Sequence, residues 1–428
     1  MGPVDFFVAY QGWRADPPNP FFSSSSSSSS LTAYHPSPTV ASSVDSSSRK
    51  VASEPWANLA FDEICHRLEV FVAGKKASAS FVCGGQVPID ARSIPSKTTS
   101  VSPPVRICWR TDRDNNLREL ALPLDSNADS KAESDYLRQL VADCKPASFG
   151  KGQEDVLDPK YRKAGKLEPR HFLTSFHPSD FGILQNVEQI LLPNFNTDLE
   201  NRLPFRKMHA ELYKLNVYSG PSGLFRKHVD TPRSESQIGS LVVCLPSHFK
   251  GGNLIVQHEG KQVEFDWSHQ SASTIQWAAF YSDCEHEIKR ITEGDRITLT
   301  YNLYVTEPVR GLIPPSLIVD PKSLPLYSFL EGLVKEPSFM EEGGALGFFC
   351  SHAYPHASDE APVLLPRALK GADLVLYSVF KSLGLEIDIL PVIFDDSYGP
   401  SNEKHGEQPL RNRILRVFSQ NWHAPWEY

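Results

Sequence analysis

Apolar and polar residues alternate in short runs through the middle of the chain, a pattern typical of β-strands with one buried face. Between residues 209 and 305 this alternation predicts seven strands, at 212–218, 240–245, 253–258, 262–267, 273–280, 286–291 and 296–305. Gly251, Gly252 and Gly260 lie between strands, where they fit turns that need a positive φ. Six or more short strands separated by turns predict a jelly roll or a similar β-sandwich.

The regions on either side of these strands mix helical and strand patterns. Before them, strands are predicted at 68–72, 79–82, 105–109 and 121–124, and helices at about 137–144 and 181–192. After them, helices are predicted at about 323–333 and 369–383, and strands at 345–350, 385–393 and 413–418. The expected fold class is therefore α+β, with a jelly-roll core, flanking helices and a C-terminal α/β extension.

The first part of the chain has the composition of a disordered tail. Residues 23–30 are an unbroken serine run, and such a segment has too few apolar groups to offset the entropy lost on folding. We predict a disordered Ser-rich tail over 1–54 and strands with supporting helices over 55–208. A β-rich core is expected over 209–307, and an extension that packs on it over 308–428.

Charge and composition limit the partners and the location of the protein. Its 428 residues carry a net charge of −8 without a long Lys/Arg run, which gives no strong signal for nucleic acid or an anionic membrane. No apolar stretch approaches the roughly 20 residues that cross a bilayer, and the N-terminus lacks the features of a secretory signal. Seven scattered cysteines without a CxxC pair favour a reduced protein of the cytosol or nucleus.

A His-x-Asp pair carries the first chemical signal. His228 and Asp230 follow a strand-like run and a Gly/Pro turn, and on an extended segment their side chains point to the same side. His286, which follows the predicted strand at 273–280, is the best candidate for a third ligand. Two histidines and one carboxylate with open positions suit a non-haem Fe(II) ion that also binds a co-substrate and O2.

A second pair predicts a carboxylate clamp. Arg296 and Thr298 lie two residues apart on the polar face of the predicted strand at 296–305. Arginine makes bidentate, charge-assisted hydrogen bonds to carboxylates and keeps its proton. Such a pair suits the far end of a dicarboxylic co-substrate such as 2-oxoglutarate.

These residues resemble the motif of the Fe(II)/2-oxoglutarate-dependent dioxygenase superfamily. The spacing from Tyr218 to His228 is similar to its prolyl 4-hydroxylase-like branch, as is Gly251-Gly252 before a strand. The likeness covers residues 209–305, and the segment also resembles uncharacterised fungal members of the superfamily.

The resemblance implies a double-stranded β-helix with iron bound by His228, Asp230 and His286. It also implies that Arg296 and Thr298 bind the distal carboxylate of 2-oxoglutarate, and that Tyr218 hydrogen-bonds the co-substrate. The activity implied is that of an oxidoreductase acting on a protein side chain or a small molecule, with release of succinate and CO2.

Other interpretations remain open at the level of sequence. The β-rich core could instead be a catalytically silent interaction module. Cys350, His352 and His356 are residue types that bind zinc, but three of them without a CxxC partner favour ordinary packing. The polar loop at 231–238, directly after the His-x-Asp pair, is the candidate lid over the site.

Overall fold

The structure is a computed structural model. It describes residues 6–11, 61–78, 80–89, 101–112, 116–124, 130–151, 154–196, 206–307, 318–336, 339, 345–354, 361–391 and 414–417.

Six α-helices occur in the described residues: α1 (Phe61–Ser78), α2 (Ser130–Asp143), α3 (Ile183–Leu191), α4 (Pro325–Val334), α5 (Ala361–Ala368) and α6 (Gly371–Ser382). The strands are β1 (Phe6–Gln11), β2 (Val82–Pro88), β3 (Val105–Trp109), β4 (Arg118–Leu122), β5 (Lys145–Pro146), β6 (Phe149–Lys151), β7 (Glu154–Val156), β8 (Arg162–Lys163), β9 (Gly165–Leu167), β10 (Phe172–Thr174), β11 (Asn194–Phe195), β12 (Lys207–Ser219), β13 (Leu224–His228), β14 (Gln237–Cys244), β15 (Phe249–Gly251), β16 (Leu254–His258), β17 (Lys261–Phe265), β18 (Thr274–Tyr281), β19 (Glu285–Ile288), β20 (Ile291–Thr306), β21 (Ile318–Val319), β22 (Ala345–Phe349), β23 (Glu386–Pro391) and β24 (Ile414–Val417).

Two sheets form the centre of the molecule. The larger runs in the order β2-β18-β14-β20-β12-β9-β5, with β15 paired to β20, and the smaller in the order β17-β16-β19-β13-β8. Between β12 and β20 the chain passes back and forth from one sheet to the other, which is consistent with the predicted double-stranded β-helix. The predicted strands of this region are confirmed, and strands from before residue 209 extend both sheets.

One apolar core joins the two sheets. Leu241, Ile275 and Leu299 of the larger sheet and Leu254 and Val256 of the smaller sheet are all buried in the same cluster. Each such side chain contributes about 1.5 to 3 kcal/mol by leaving water. This burial gives a rigid frame on which the polar residues of the site are placed.

A tight hairpin joins two strands of the smaller sheet. His258 pairs with Lys261 across the β16–β17 turn, and the two residues between them, Glu259 and Gly260, have φ values of 46° and 78°. Two successive positive φ values are those of a type I′ turn, whose twist matches antiparallel strands. Gly251 and Gly252 also have positive φ, at 73° and 72°, so the expectation for all three glycines is confirmed.

The C-terminal part has a second apolar cluster. Leu330 of α4, Phe348 of β22 and Leu374 and Phe380 of α6 are buried there. A four-stranded sheet runs in the order β23-β1-β22-β24. The C-terminal helices and strands predicted from sequence are present with small shifts in their ends.

Two sequence predictions are wrong in this region. The strand expected at 68–72 is part of helix α1, where Leu68 and Val72 are both buried at an i, i+4 spacing. The short apolar run that suggested a strand is therefore one face of a helix. Phe6–Gln11, within the expected disordered tail, forms strand β1 between β22 and β23. Five of those six residues, all but Gln11, are aliphatic or aromatic and the segment precedes the serine run, so its composition does not apply to them.

Among the described residues, no helix combines the length and the apolar character needed to cross a membrane.

Candidate metal centre and co-substrate pocket

The structure brings His228, Asp230 and His286 together at one end of the β-rich core. His228 and His286 are direct partners in the antiparallel pair of β13 and β19, and Asp230 lies two residues beyond His228. One potential ligand atom from each residue lies within 4.8 Å of the other two. His286 Nε2 and Asp230 Oδ1 are 3.8 Å apart, and two metal–ligand bonds of about 2.1 Å each can span that distance.

Backbone carbonyls orient both imidazole rings. His228 Nδ1 lies 2.8 Å from the carbonyl oxygen of Arg226, and His286 Nδ1 lies 3.1 Å from that of Cys284. A carbonyl oxygen only accepts hydrogen bonds, so each Nδ1 carries the proton and each Nε2 keeps its lone pair for a metal. The two rings are tilted by 51° with centroids 4.1 Å apart, which lets their Nε2 atoms converge.

The carboxylate is also held in place. Ser240 Oγ donates a 2.6 Å hydrogen bond to Asp230 Oδ2, which leaves Oδ1 for a metal. Burial raises the pKa of Asp230, but His286, His228 and the Ser240 hydroxyl outweigh it and hold the pKa below its usual value. Burial and the neighbouring His286 lower the pKa of His228 to about 3. At neutral pH Asp230 is ionised and His228 is neutral, the forms that bind a metal.

Arg296 lies in β20 as a buried cation, and no salt bridge to it occurs among the described residues. Its side chain is 0% exposed, and none of its three guanidinium nitrogens has a hydrogen-bond partner among the described residues. The guanidinium carbon lies 5.1 Å from the ring centroid of Trp267 and 5.8 Å from that of Tyr218. Burying an unpaired charge is costly, so these nitrogens are suited to an anionic ligand.

The other two predicted co-substrate residues lie beside Arg296. Tyr218 is its direct partner across β12 and β20, and Thr298 is two residues along β20, where it faces Asn216 on β12 and Cys244 on β14. Both Tyr218 and Thr298 are buried. The alternation of a strand therefore places Arg296 and Thr298 on one face, as expected from the sequence.

Two further residues limit the space around Arg296. An added side chain on Gly252 would come within 3.4 Å of Arg296 Cδ and would overlap Ile291. Burial raises the pKa of the Cys244 thiol to about 11, an effect that the nearby Arg296 opposes. Gly252 and Cys244 thus place uncharged groups close to the Arg296 side chain.

Strand β14 connects the two parts of the site. Ser240, which binds Asp230, and Cys244, which faces Thr298, lie on the same side of this strand. Four residues of extended chain span about 13 Å. That length leaves room for a five-carbon dicarboxylate between the His/Asp group and Arg296.

A cavity of about 590 Å³ opens beside Asp230. The predicted lid loop at 231–238 forms one wall, with Arg233 and Glu235 among its residues, and Tyr354 and Lys370 of the C-terminal part form another. The guanidinium of Arg233 lies over the ring of Tyr213, at 4.2 Å, and donates to its hydroxyl. The C-terminal part therefore borders the candidate site.

A second group of metal-binding residue types lies at this border. His258, Asp283 and His352 have potential ligand atoms within 4.8 Å of one another. The rings of His258 and His352 are parallel within 7° and stacked 4.3 Å apart. An imidazole lone pair lies in the plane of its ring, so two stacked parallel rings cannot both point to one ion. Lys370 Nζ already lies 3.2 Å from Asp283 Oδ1, so this group is an ion-pair network.

This network joins the β-rich core to the C-terminal part. His258, beside the β16–β17 turn, packs against His352 of the C-terminal part. Asp283 accepts hydrogen bonds from His352, the Ala353 backbone and Lys370. Lys370 and His352 hold the pKa of Asp283 well below its usual value although burial raises it. Neither partner is near Asp283 in sequence, so no local pattern could indicate the network.

The alternative zinc residues separate into different environments. Cys350 lies in the C-terminal apolar cluster, and His352 belongs to the Asp283 network. His356 lies outside the described residues. The six cysteines with described side chains are free of disulfides, as the sequence predicted.

Sequence reasoning missed several residues that line or support the site. The hydrophobic pattern predicted strands at Ser240, Asn216 and Trp267 but gave no sign that these residues have a role in the site. Arg162 comes from the short strand β8, far from any motif. A polar residue at an expected buried position, as Ser240 and Asn216 are, is the signal that could have found two of them.

Comparisons with known proteins identify no close relative. No protein-family model matches the chain, and no curated protein matches it. Among solved structures, a prolyl-4-hydroxylase from Pseudomonas putida has 13% sequence identity and a TM-score of 0.28, covering 55% of this chain and 98% of that one.

Two other solved structures show a similar level of likeness. A prolyl hydroxylase from Trichoplax adhaerens, in complex with a hypoxia inducible factor peptide fragment, has 14% identity and a TM-score of 0.22, covering 56% of this chain and 91% of that one. A 2OG-Fe(II) oxygenase family oxidoreductase from Burkholderia pseudomallei has 16% identity and a TM-score of 0.19, covering 22% of this chain and 45% of that one. At such TM-scores the likeness carries no argument for this chain, whose function has to be inferred from its own residues.

Proposed function

We propose that this protein is an Fe(II)- and 2-oxoglutarate-dependent dioxygenase of the prolyl 4-hydroxylase-like type, built on a double-stranded β-helix. The observation that carries the proposal is the buried Arg296 guanidinium, whose nitrogens have no hydrogen-bond partner in the part of the chain that the structure describes. It lies on the same framework as a convergent group of two histidines and one aspartate. A metal site alone could be structural. A metal site together with a separate buried cation suits a dicarboxylate, which would bind the metal with one end and the cation with the other.

The residues have separate tasks in this proposal. His228 and His286 would bind the iron through Nε2 and Asp230 through Oδ1, and Ser240 would keep the carboxylate in place. Arg296, with Thr298, would bind the distal carboxylate of 2-oxoglutarate, and Tyr218 would contact the co-substrate from the opposite strand. With O2, the bound iron and co-substrate would supply the oxidation of a C–H bond to C–OH, with release of succinate and CO2.

The prime substrate would approach through the cavity beside Asp230. Its volume of about 590 Å³ accommodates an amino-acid side chain or a small molecule. Asp230 follows Val229, which is half exposed, whereas His286 on the opposite strand is 8% exposed. Of the three candidate ligands, Asp230 lines this cavity, while Phe225 and Phe280 pack against His228 and His286.

An anaerobic titration tests the proposal. The full chain should bind Fe(II) and then 2-oxoglutarate with one site each, and addition of O2 should release succinate in an amount that matches the protein. His269→Ala is the control, because His269 is a surface residue whose side chain is 86% exposed. If the chain binds neither Fe(II) nor 2-oxoglutarate, the β-rich core is instead an interaction module.

A further inference from the structure

Arg162 is a second buried cation, close to the candidate metal ligands rather than to Arg296. It lies in β8 and pairs with Phe225 of β13, the strand that ends at His228. Its guanidinium carbon is 4.3 Å from the ring centroid of Phe225, and this ring stacks on His228 with centroids 3.5 Å apart. Strand pairing and ring contacts therefore place Arg162 against Phe225, which in turn stacks on the candidate ligand His228.

The same side chain also reaches the strand of the co-substrate pocket. Its Nη2 donates a 2.9 Å hydrogen bond to Asn216 Oδ1, and Asn216 lies directly across from Thr298. Its Nη1 donates to the carbonyl oxygen of Ser148 at 2.7 Å. Both acceptors are neutral, so they fix the position of the guanidinium without compensating its charge.

No carboxylate pairs with Arg162 among the described residues. The residue is 8% exposed, and its Nε is buried without a hydrogen-bond partner. Lys214, on the same face of β12 as Asn216, is also buried, with the ring of Tyr213 at 3.8 Å from its Nζ. Buried cations are normally paired with acids, so the lack of a salt bridge to Arg162 among the described residues suits this guanidinium to an anionic ligand.

We propose that Arg162 binds a carboxylate group beside the metal, as a second anion-binding residue distinct from Arg296. This inference rests on the proposed function. The carboxylate has two possible sources: the end of 2-oxoglutarate next to its keto group, or an acidic group of the prime substrate.

Binding measurements on the full chain loaded with Mn(II), without turnover, test the inference. Oxalate probes the metal end alone, because it is too short to reach Arg296, and Nα-acetyl-aspartate amide probes the substrate side in the presence of 2-oxoglutarate. Arg162→Gln should lower the affinity for one of these two probes at least tenfold. If the affinity for oxalate falls, the carboxylate that Arg162 binds belongs to the co-substrate. If the affinity for the aspartate derivative falls, it belongs to the prime substrate. The matched control is Arg226→Gln, an exposed arginine on β13, which should change neither.

Asn216→Asp is a second variant that does not remove the arginine. It would place a carboxylate within 2.9 Å of Arg162 Nη2 and neutralise the cation from inside. The expected result is a protein at least as stable as the wild type whose affinity for the same probe falls at least tenfold. A residue that only supports the fold would not show this combination.

The outcomes separate the two proposals. If both variants bind Mn(II) and their affinities for both probes stay within twofold of the wild-type affinities, the role of Arg162 is overturned and the proposed function stands. If Arg162→Gln does not fold, Asn216→Asp decides alone. If the wild-type chain binds neither Mn(II) nor 2-oxoglutarate, the proposed function fails and the inference fails with it.

Discussion

His228 and His286 lie directly opposite each other on two antiparallel strands, β13 and β19. Their rings are 4.1 Å apart between centroids. Because side chains at directly opposed positions project to the same face of a sheet, this register alone makes the two imidazoles neighbours. A slip of one residue on either strand would turn one of them to the other face.

Removal of either histidine should abolish metal binding. We expect His228→Ala or His286→Ala to weaken Mn(II) affinity more than 100-fold, since even residues that only orient ligands change metal affinity by about 10- to 100-fold. Isothermal titration of the purified variants with Mn(II) measures this. An affinity within tenfold of the wild type in both variants would show that the metal lies elsewhere.

Ser240→Ala should act on the metal through Asp230. Loss of the 2.6 Å hydrogen bond to Oδ2 frees the carboxylate to rotate, and we expect Mn(II) affinity to fall by about 10- to 100-fold. Ser247→Ala is the matched control, because Ser247 is also buried but donates to the backbone of Asp295. Equal effects of the two substitutions would contradict a positioning role for Ser240.

Arg296→Met should change stability and co-substrate binding in opposite directions. Without 2-oxoglutarate, removal of an unpaired buried charge should leave the free energy of unfolding unchanged or raise it by about 1 kcal/mol. Affinity for 2-oxoglutarate should fall at least 100-fold, because about 3 kcal/mol of charge-assisted hydrogen bonding is lost. Urea unfolding and calorimetric titration measure the two effects, with the exposed Arg290→Met as control. A large loss of stability would mean that Arg296 has a structural partner.

The ion pair between Asp283 and Lys370 should join the β-rich core to the C-terminal part. Lys370→Met leaves a buried carboxylate without its cation, and we expect a loss of about 3 to 5 kcal/mol in the free energy of unfolding. The double variant Asp283→Asn/Lys370→Met should lose less than Lys370→Met. By contrast, Lys335→Met should cost under about 1 kcal/mol, because its pair with Glu331 is exposed. Denaturant unfolding compares the three, and equal losses for the single variants would refute the prediction.

The metal-free protein should lose stability in weak acid through His228. Its pKa is about 3 in the fold and about 6.5 in the unfolded chain, so the unfolded state takes up a proton first as pH falls. The contribution is complete above about pH 6.5 and is lost progressively toward pH 3, with a slope of about 1.4 kcal/mol per pH unit for one proton. His228→Gln should flatten the pH dependence of urea unfolding between pH 6.5 and 5, whereas the exposed His269→Gln should follow the wild type. Parallel curves for all three proteins would rule out His228 as the cause.

Local patterns in the sequence predicted most elements of the core. Alternation with a period of two located seven of the nine strands from β12 to β20 but not β13 or β15, and glycine located turns with positive φ. The same alternation placed His228 with Asp230, and Arg296 with Thr298, on shared faces. These relationships depend on residues a few positions apart, which backbone geometry alone fixes. A short apolar run has no clear period, and for this reason the strand predicted at 68–72 is wrong and these residues belong to helix α1.

The tertiary structure decided what lies between distant segments. The register of β13 against β19 makes His228 and His286 neighbours, and the docking of the C-terminal part buries Asp283 against Lys370. That the Arg296 guanidinium has no hydrogen-bond partner among the described residues is likewise a property of its surroundings. Sequence fixes which groups share a face, because that follows from covalent geometry. Which charges are compensated follows from packing between segments far apart in the chain.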